Sequence, residues 1–249
     1  MPVEFKKFVN IRVYGDLNDF LPQGKKHKDQ RVGFFGMPTV KDLVESIGVP
    51  HVEVFLILAD SLPVKFDYRP ANGTLISCYP KFTSLPLSAI ALRPDFEKPP
   101  RFILDVHLGR LAAYLRFCGI DTLYDKSFND NQILDIAQAD GRIILTRDKG
   151  ILRNGQAQFG YFLRNTNPQL QLAEVVHYFD LAHYLDPFSR CSLCNGEVEQ
   201  VDKSMVKNLV PSTTYQIYSE FFQCSRCGQV YWEEPHFIRI SKLLSRYSE

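Results

Sequence analysis

No apolar run in this sequence reaches the roughly 18 residues that a membrane-crossing helix needs, so a membrane protein is not expected. Excess charge of one sign is missing too: 29 Lys and Arg stand against 28 Asp and Glu, a net charge of +1. That excludes a uniformly basic nucleic-acid coat and leaves local patches open. The opening stretch "MPVEFKKFVNIRVYGD" is broken by charges and has no apolar core of a secretory signal. Export is therefore not expected, and a cytoplasmic location is the default. Internal repeats and low-complexity tracts are absent, and tryptophan occurs once. What is present is ordinary for a globular protein: 45% hydrophobic and 23% charged residues over a chain of 249, enough for one large domain or two to three small ones.

Cysteine is sparse but patterned. Of six cysteines, Cys78 and Cys118 stand alone, and the other four form two C-x-x-C pairs, "CSLC" (Cys191, Cys194) and "CSRC" (Cys224, Cys227). In a chain without an export signal such pairs read as metal ligands rather than disulfides. Two thiolates on each tight turn make a closed S4 shell, which suits structural Zn²⁺ and leaves no open position for chemistry. A disulfide pair or an iron-sulfur centre is the alternative. Asn195-Gly196 and Gly228 follow the two pairs, as expected where a turn needs positive φ. A segment this small builds little core, so the metal is expected to supply folding free energy.

Three segments differ in rhythm. In the first, residues 1–96, "VNIRVYGDL" alternates as a half-buried strand and "RVGFF" reads as its return. "TVKDLVESIG" is a short helix capped by Thr39 and stopped at Gly48. "VEVFLILAD", "LPVKFDY" and "TLISCYP" follow as strands. This order resembles the β-grasp, ubiquitin-like fold, especially its sulfur-carrier branch. That branch ends in a free diglycine, whereas here the chain runs on, so an interaction or RNA-positioning role is expected instead. "RPDFEKPP" (residues 93–100) is a proline-rich linker. In the second segment, residues 101–190, short apolar runs ("RFILDV", "IDTLYD", "RIILT", "GYFLR") alternate with amphipathic helices, ending in the helix "NPQLQLAEVVHYFDLAHYL". That alternation predicts a parallel, three-layer α/β sheet. The third, residues 191–249, holds the cysteine pairs, with "TYQIYSEFFQC" and "QVYWEE" as strands. Trp232 is expected to pack this piece onto the α/β core, or Tyr231-Trp232 to stack a base.

Asp105 follows "FIL" and Asp148 follows "IILTR", both at strand ends, and Asp130 opens a helix in "SFNDNQIL". Each stands where a helix N-cap belongs, and capping is the simplest role for any one of them. Open α/β sheets bind ligands at the carboxyl ends of their strands, where three carboxylates from three loops can share a cation. Mg²⁺ or Mn²⁺ suits such oxygen ligands and can activate water for attack on a phosphodiester. Asp125 and Asp135 read as a loop residue and a polar helix face. Arg110, one helical turn beyond Asp105, and Arg147 and Lys149, flanking Asp148, are candidates for contact with an RNA backbone. His107 reads as a polar residue at a helix start, and the basic loop "GKKHK" (residues 24–28) as a solvated loop.

"FILDVHLGRLAAYLRFCGIDTLYD", "DNQILDIAQADGRIILTRDKGIL", "SRCSLCNGEVE" and "CSRCGQVYWEEPHF" together resemble the RNase-domain family named for the C-terminal part of a mutator exonuclease, over residues 101–243. The first segment is similar to the ubiquitin-like module that precedes this domain in bacterial members. The resemblance implies a β-grasp module (1–96), a PIN-like α/β nuclease domain (101–190) and a zinc ribbon (191–249). It implies a ribonuclease, with Asp105, Asp130 and Asp148 in the catalytic positions, catalytic Mg²⁺ or Mn²⁺, and structural Zn²⁺. Many PIN domains add a fourth acid after their fourth strand; here that stretch reads Asn165-Thr166-Asn167. The expected partner is RNA, with a protein partner at the ubiquitin-like module. The alternative is a non-catalytic RNA-binding or adaptor protein on the same fold.

Overall fold

The computed structural model describes residues 7–82, 92 and 99–232. The linker expected at residues 93–100 lies mostly outside these, as does the end of the third segment from residue 233. In chain order the elements are β1 (Lys7–Val13), β2 (Gln30–Phe34), α1 (Val40–Ser46), β3 (Leu56–Ala59), β4 (Leu62–Val64), β5 (Leu75–Tyr79), β6 (Phe102–Leu104), α2 (Gly109–Phe117), β7 (Thr122–Leu123), α3 (Asp130–Asp140), β8 (Ile143–Thr146), α4 (Lys149–Arg153), β9 (Gly160–Phe162), α5 (Pro168–Tyr178), β10 (Val198–Val201), α6 (Ser212–Ile217), β11 (Phe221–Cys224) and β12 (Val230–Tyr231). The chain divides into two compact units, residues 1–96 with 148–162, and residues 97–147 with 163–249.

The first unit is built on a β-grasp sheet ordered β2-β1-β5-β3-β4. Its central pair, β1 and β5, runs parallel, and the other pairings are antiparallel. Alternation explains the sheet: Val9, Ile11 and Val13 of β1 are buried, and their neighbours are half-buried. α1 closes the core with Val40, Leu43 and Val44. Thr39 starts this helix with a reciprocal capping box to Asp42, a device that stabilises a helix start by about 1 kcal/mol. The segment 148–162 is fastened to the same unit by polar and cation–π contacts. The Glu53 carboxylate accepts the Phe162 N–H, and buried His51 pairs with Glu45 and donates Nε2–H to the Ala157 carbonyl. The Lys149 ammonium stands over the rings of Phe20 and Phe162, 5.1 and 5.5 Å from their centroids.

In the second unit β7, β6 and β8 form a parallel sheet, with β6 in the middle. Phe102, Ile103 and Leu104 of β6 are fully buried, as a central parallel strand requires. α2 covers the sheet with Leu111, Ala112 and Leu115, and α3 with Ile133 and Leu134. A small antiparallel sheet, β10-β11-β12, follows and carries the cysteines.

Three expectations need correction here. The helix α5 ends at Tyr178, short of the run to Leu185, because Asp180 takes a left-handed φ of 54°. The stretch "TYQI" is helical, in α6; β10 pairs with residues 221–224 only and offers these residues no strand partner. Trp232 packs within the ribbon's own cluster of Val206, Phe221 and Val230 rather than against the α/β core.

Candidate functional site

The four cysteines are brought together. Their sulfurs all lie within 4.8 Å of one another, with Cys191–Cys227 and Cys194–Cys224 at 3.5 Å each. Sulfurs around one tetrahedral Zn²⁺ at about 2.3 Å would stand about 3.8 Å apart, so the donor set fits that ion in spacing and in softness. Among the described residues this is the one converging group of three or more Cys, His, Asp or Glu donors. Backbone N–H groups support the sulfurs: Cys194 donates to Cys191, and Arg226 and Cys227 donate to Cys224. Burial raises the Cys191 thiol, but the Tyr231 hydroxyl and the N–H groups of Cys194 and Leu193 outweigh it and bring it down to about 7. That favours the thiolate, which is the form that binds metal. Asn195 and Gly228 adopt the positive φ expected of the turns, whereas Gly196 does not. Gly196 serves proximity instead: a Cβ there would come within 3.2 Å of the Cys194 and Cys224 sulfurs and 2.8 Å of the Arg226 side chain.

The first knuckle is joined to the parallel sheet by a buried arginine that periodicity did not single out. Arg116, on α2, is 4% exposed. Its Nε donates to the Thr122 carbonyl (2.7 Å), Nη1 to the Leu193 carbonyl inside the C-x-x-C turn (2.8 Å), and Nη2 to the Tyr124 carbonyl (3.2 Å). Asn195 makes a second joint, accepting the Thr122 N–H and donating to Asp121. Asp121 also accepts from Arg142 at 2.7 Å. Burial raises the Asp121 carboxyl, but the bonds from Arg142 and Asn195 prevail and hold it below the usual carboxylate value. Phe188 completes the joint, edge-on to Phe117 of α2 and stacked on Phe222 of β11 at 4.9 Å.

The three aspartates differ. Asp105 directly follows β6 and is 6% exposed. It stands at the N-cap of a short 3-10 turn, yet its side chain makes no cap bond. Instead Oδ2 accepts from the Thr146 hydroxyl at 2.8 Å. Thr146 is the last residue of β8, and nothing in the sequence pattern sets it apart. Asp130 is exposed and is the first residue of α3 rather than its cap. Asn129 takes that place, in a capping box with Gln132, where the backbone N–H of each donates to the side-chain oxygen of the other. Asp148, in the first unit, does cap: it accepts from the Gly150 N–H at 2.6 Å. Asp125 bonds Ser127 in its own loop, and Asp135 is exposed on α3.

Beside Asp105 the second unit holds an open pocket of about 390 Å³, lined by Val106, His107, Gly109, Arg110, Tyr124, Arg147, Thr166 and Gln171 among others. Arg110 is exposed and, among the described residues, has no bonding partner. Arg147 is anchored, its Nη1 donating to the carbonyls of Leu163, Arg164 and Asn165. The Tyr124 hydroxyl donates to the Val106 carbonyl at 2.9 Å. It requires glycine at position 109, where a Cβ would meet that oxygen at 2.7 Å. In the loop 163–167 the sequence offers no acid, but Glu174 of α5 reaches it. Glu174 accepts the N–H groups of Arg164 and Asn165 and the Asn165 amide. The reach from one helix turn to a preceding loop is not a local pattern, so nothing in the sequence signalled it. Lys149, the third cation singled out, is held over Phe20 and Phe162 in its own unit. Residues 24–28 are tied locally, with Lys26 to Asp19 and Lys28 to the Gly24 carbonyl.

Comparison with known proteins yields two family matches. Residues 100–244 match the family model of the Mut7-C RNAse domain. Residues 6–86 match that of the Mut7-C ubiquitin module. No curated protein matches the chain. Among solved structures, the chain is similar to the crystal structure of SAMP1 from Haloferax volcanii, at 18% identity, over 31% of this chain and 99% of that one, with a TM-score of 0.26. No helix among the described residues is long and apolar enough to cross a membrane.

Proposed function

This chain belongs to the Mut7-C RNAse domain family, and from that premise we propose that it is a metal-dependent ribonuclease hydrolysing RNA phosphodiesters. Asp105, Asp130 and Asp148 are the proposed catalytic carboxylates. The observation that carries the reading is Asp105. A carboxylate at the end of a central parallel strand is withdrawn from solvent, relieved of any capping duty and fixed by the Thr146 hydroxyl. A buried carboxylate is costly unless it meets a partner, and strand ends are where α/β sheets bind ligands.

Oxygen donors of this kind suit Mg²⁺ or Mn²⁺, which when bound lowers the pKa of a water and offsets charge on phosphoryl oxygens. The protein's own part is to hold the carboxylates and the RNA. Thr146 orients Asp105, the backbone of α4 orients Asp148 through the Gly150 N–H, and Arg110 and Arg147 place positive charge near the scissile strand. Lys149 is proposed as a further contact to RNA. The tetrathiolate site has no vacant ligand position, so its Zn²⁺ is proposed as structural. The functional modules are proposed as residues 1–96, 101–190 and 191–249, with the ubiquitin-like module as a docking or positioning element.

The test is cleavage of structured and unstructured RNAs by the full chain with and without Mn²⁺ or Mg²⁺. Metal-dependent cleavage is expected. RNA binding without cleavage of any substrate at either metal would favour the adaptor reading, which the acid-free loop 165–167 supports.

A further inference from the structure

The pocket beside Asp105 has a charge pattern that says more about the substrate. All of its lining residues belong to the second unit, and they include two arginines and a histidine but no carboxylate. The two arginines play different parts. Arg147 is locked by three carbonyls, so its charge is fixed in the wall but one end of its fork is spent. Arg110 is exposed and has no partner among the described residues, so its whole fork is available to a ligand. Gln171 and Tyr124 are likewise committed, through Nε2 to the Asn165 carbonyl and through the hydroxyl to the Val106 carbonyl. These bonds make a rigid wall around one free guanidinium. α2 starts at this wall with no side-chain cap, and its N-terminal end adds positive potential.

Resting on the ribonuclease reading above, we propose that this pocket receives a terminal phosphate monoester of the RNA. An internal phosphodiester carries one negative charge and two free oxygens. A terminal monoester carries about −1.5 to −2 at neutral pH and offers three oxygens. Two fixed or available guanidinium charges, with a histidine beside them and no acid among the lining, match the second anion better than the first. Arg110 meets it through paired N–H donors, the geometry in which arginine surpasses lysine. The pocket volume also admits a phosphate with part of its nucleotide, within the range of small-ligand pockets. The consequence is a nuclease that senses an RNA end.

The experiment is equilibrium binding by the full, zinc-loaded chain to one short single-stranded RNA in three forms: 5′-monophosphate, 3′-monophosphate and hydroxyl at both ends. Fluorescence anisotropy is read without added Mg²⁺ or Mn²⁺, so that cleavage plays no part. Wild type is expected to bind one phosphate-ended form about tenfold more tightly than the hydroxyl form, the equivalent of one charge-assisted hydrogen bond. Which phosphate is preferred identifies the end. Arg110→Ala is expected to reduce that preference to less than about twofold, and Arg110→Lys to restore only part of it. Equal binding of all three RNAs by wild type overturns the proposal without recourse to any variant. So does a preference that survives in a folded Arg110→Ala protein. An end preference in a protein that cleaves nothing would sink the ribonuclease reading alone, and cleavage without an end preference would sink this one alone.

Discussion

At Cys191, Cys194, Cys224 and Cys227 four donors already stand within 4.8 Å, backed by N–H groups and a tyrosine hydroxyl. At Asp105, in the same unit, one carboxylate is buried with one hydroxyl partner. Soft thiols can crowd while neutral, and two short knuckles bring them together by local turn geometry alone. Carboxylates repel when ionised, and here each is held by itself: Asp105 by Thr146 in the second unit, Asp148 by the start of α4 in the first. The four thiolates are therefore expected to carry stability, and Asp105 is proposed to carry chemistry that can be removed without unfolding the chain.

The largest effect is expected where the thiolates are broken. Cys191→Ser with Cys224→Ser should abolish zinc content and unfold β10–β12, seen as a loss of bound zinc, about one per chain in wild type, and a lower Tm. Retained zinc and an unchanged Tm would contradict a structural role for the four thiolates. Next is the joint between ribbon and sheet. Arg116→Ala strips the Thr122, Tyr124 and Leu193 carbonyls of their donor, and should cost about 3 kcal/mol in urea denaturation. Asp148→Ala should cost about 1 kcal/mol by loss of the cap, and Asp148→Ser should recover most of that stability without recovering cleavage. That pair separates capping from catalysis at one position. The smallest effect is with pH. The folded-state pKa of Asp121 is lowered by Arg142 and Asn195. The stability it contributes is therefore complete above its unfolded value of about 3.9 and is lost as pH falls through the lower folded value. Asp121→Asn should flatten that acid limb below about pH 4 in a stability–pH profile.

Much of this comparison was legible in the sequence. C-x-x-C spacing states its own chemistry, and Thr39 and the buried faces of α2 and α3 follow from capping and local periodicity. The strand order of the β-grasp sheet also agrees with the fold read from the first segment. What was not legible depends on register between distant residues. Thr146 meets Asp105 only because β6 and β8 are paired Leu104 to Leu145. That the Arg147 Nη1 donates to three carbonyls 16 to 18 residues away has no sequence pattern either. Asn129 and Asp130 are both good caps by residue type, and the choice between them fell to the reciprocal bond with Gln132. Residues 148–162 continue the α/β rhythm of the second segment but group with the first unit, where Glu53 and His51 bind them.

Asp105 is proposed to be held for chemistry and not for stability. Its most direct test is one preparation of zinc-loaded wild type and Asp105→Asn, assayed for RNA cleavage across a Mn²⁺ titration and for Tm in parallel. Cleavage is expected to fall at least about 100-fold in Asp105→Asn, with zinc content unchanged and Tm within a few degrees of wild type. Cleavage at the wild-type rate by a folded Asp105→Asn protein would contradict it.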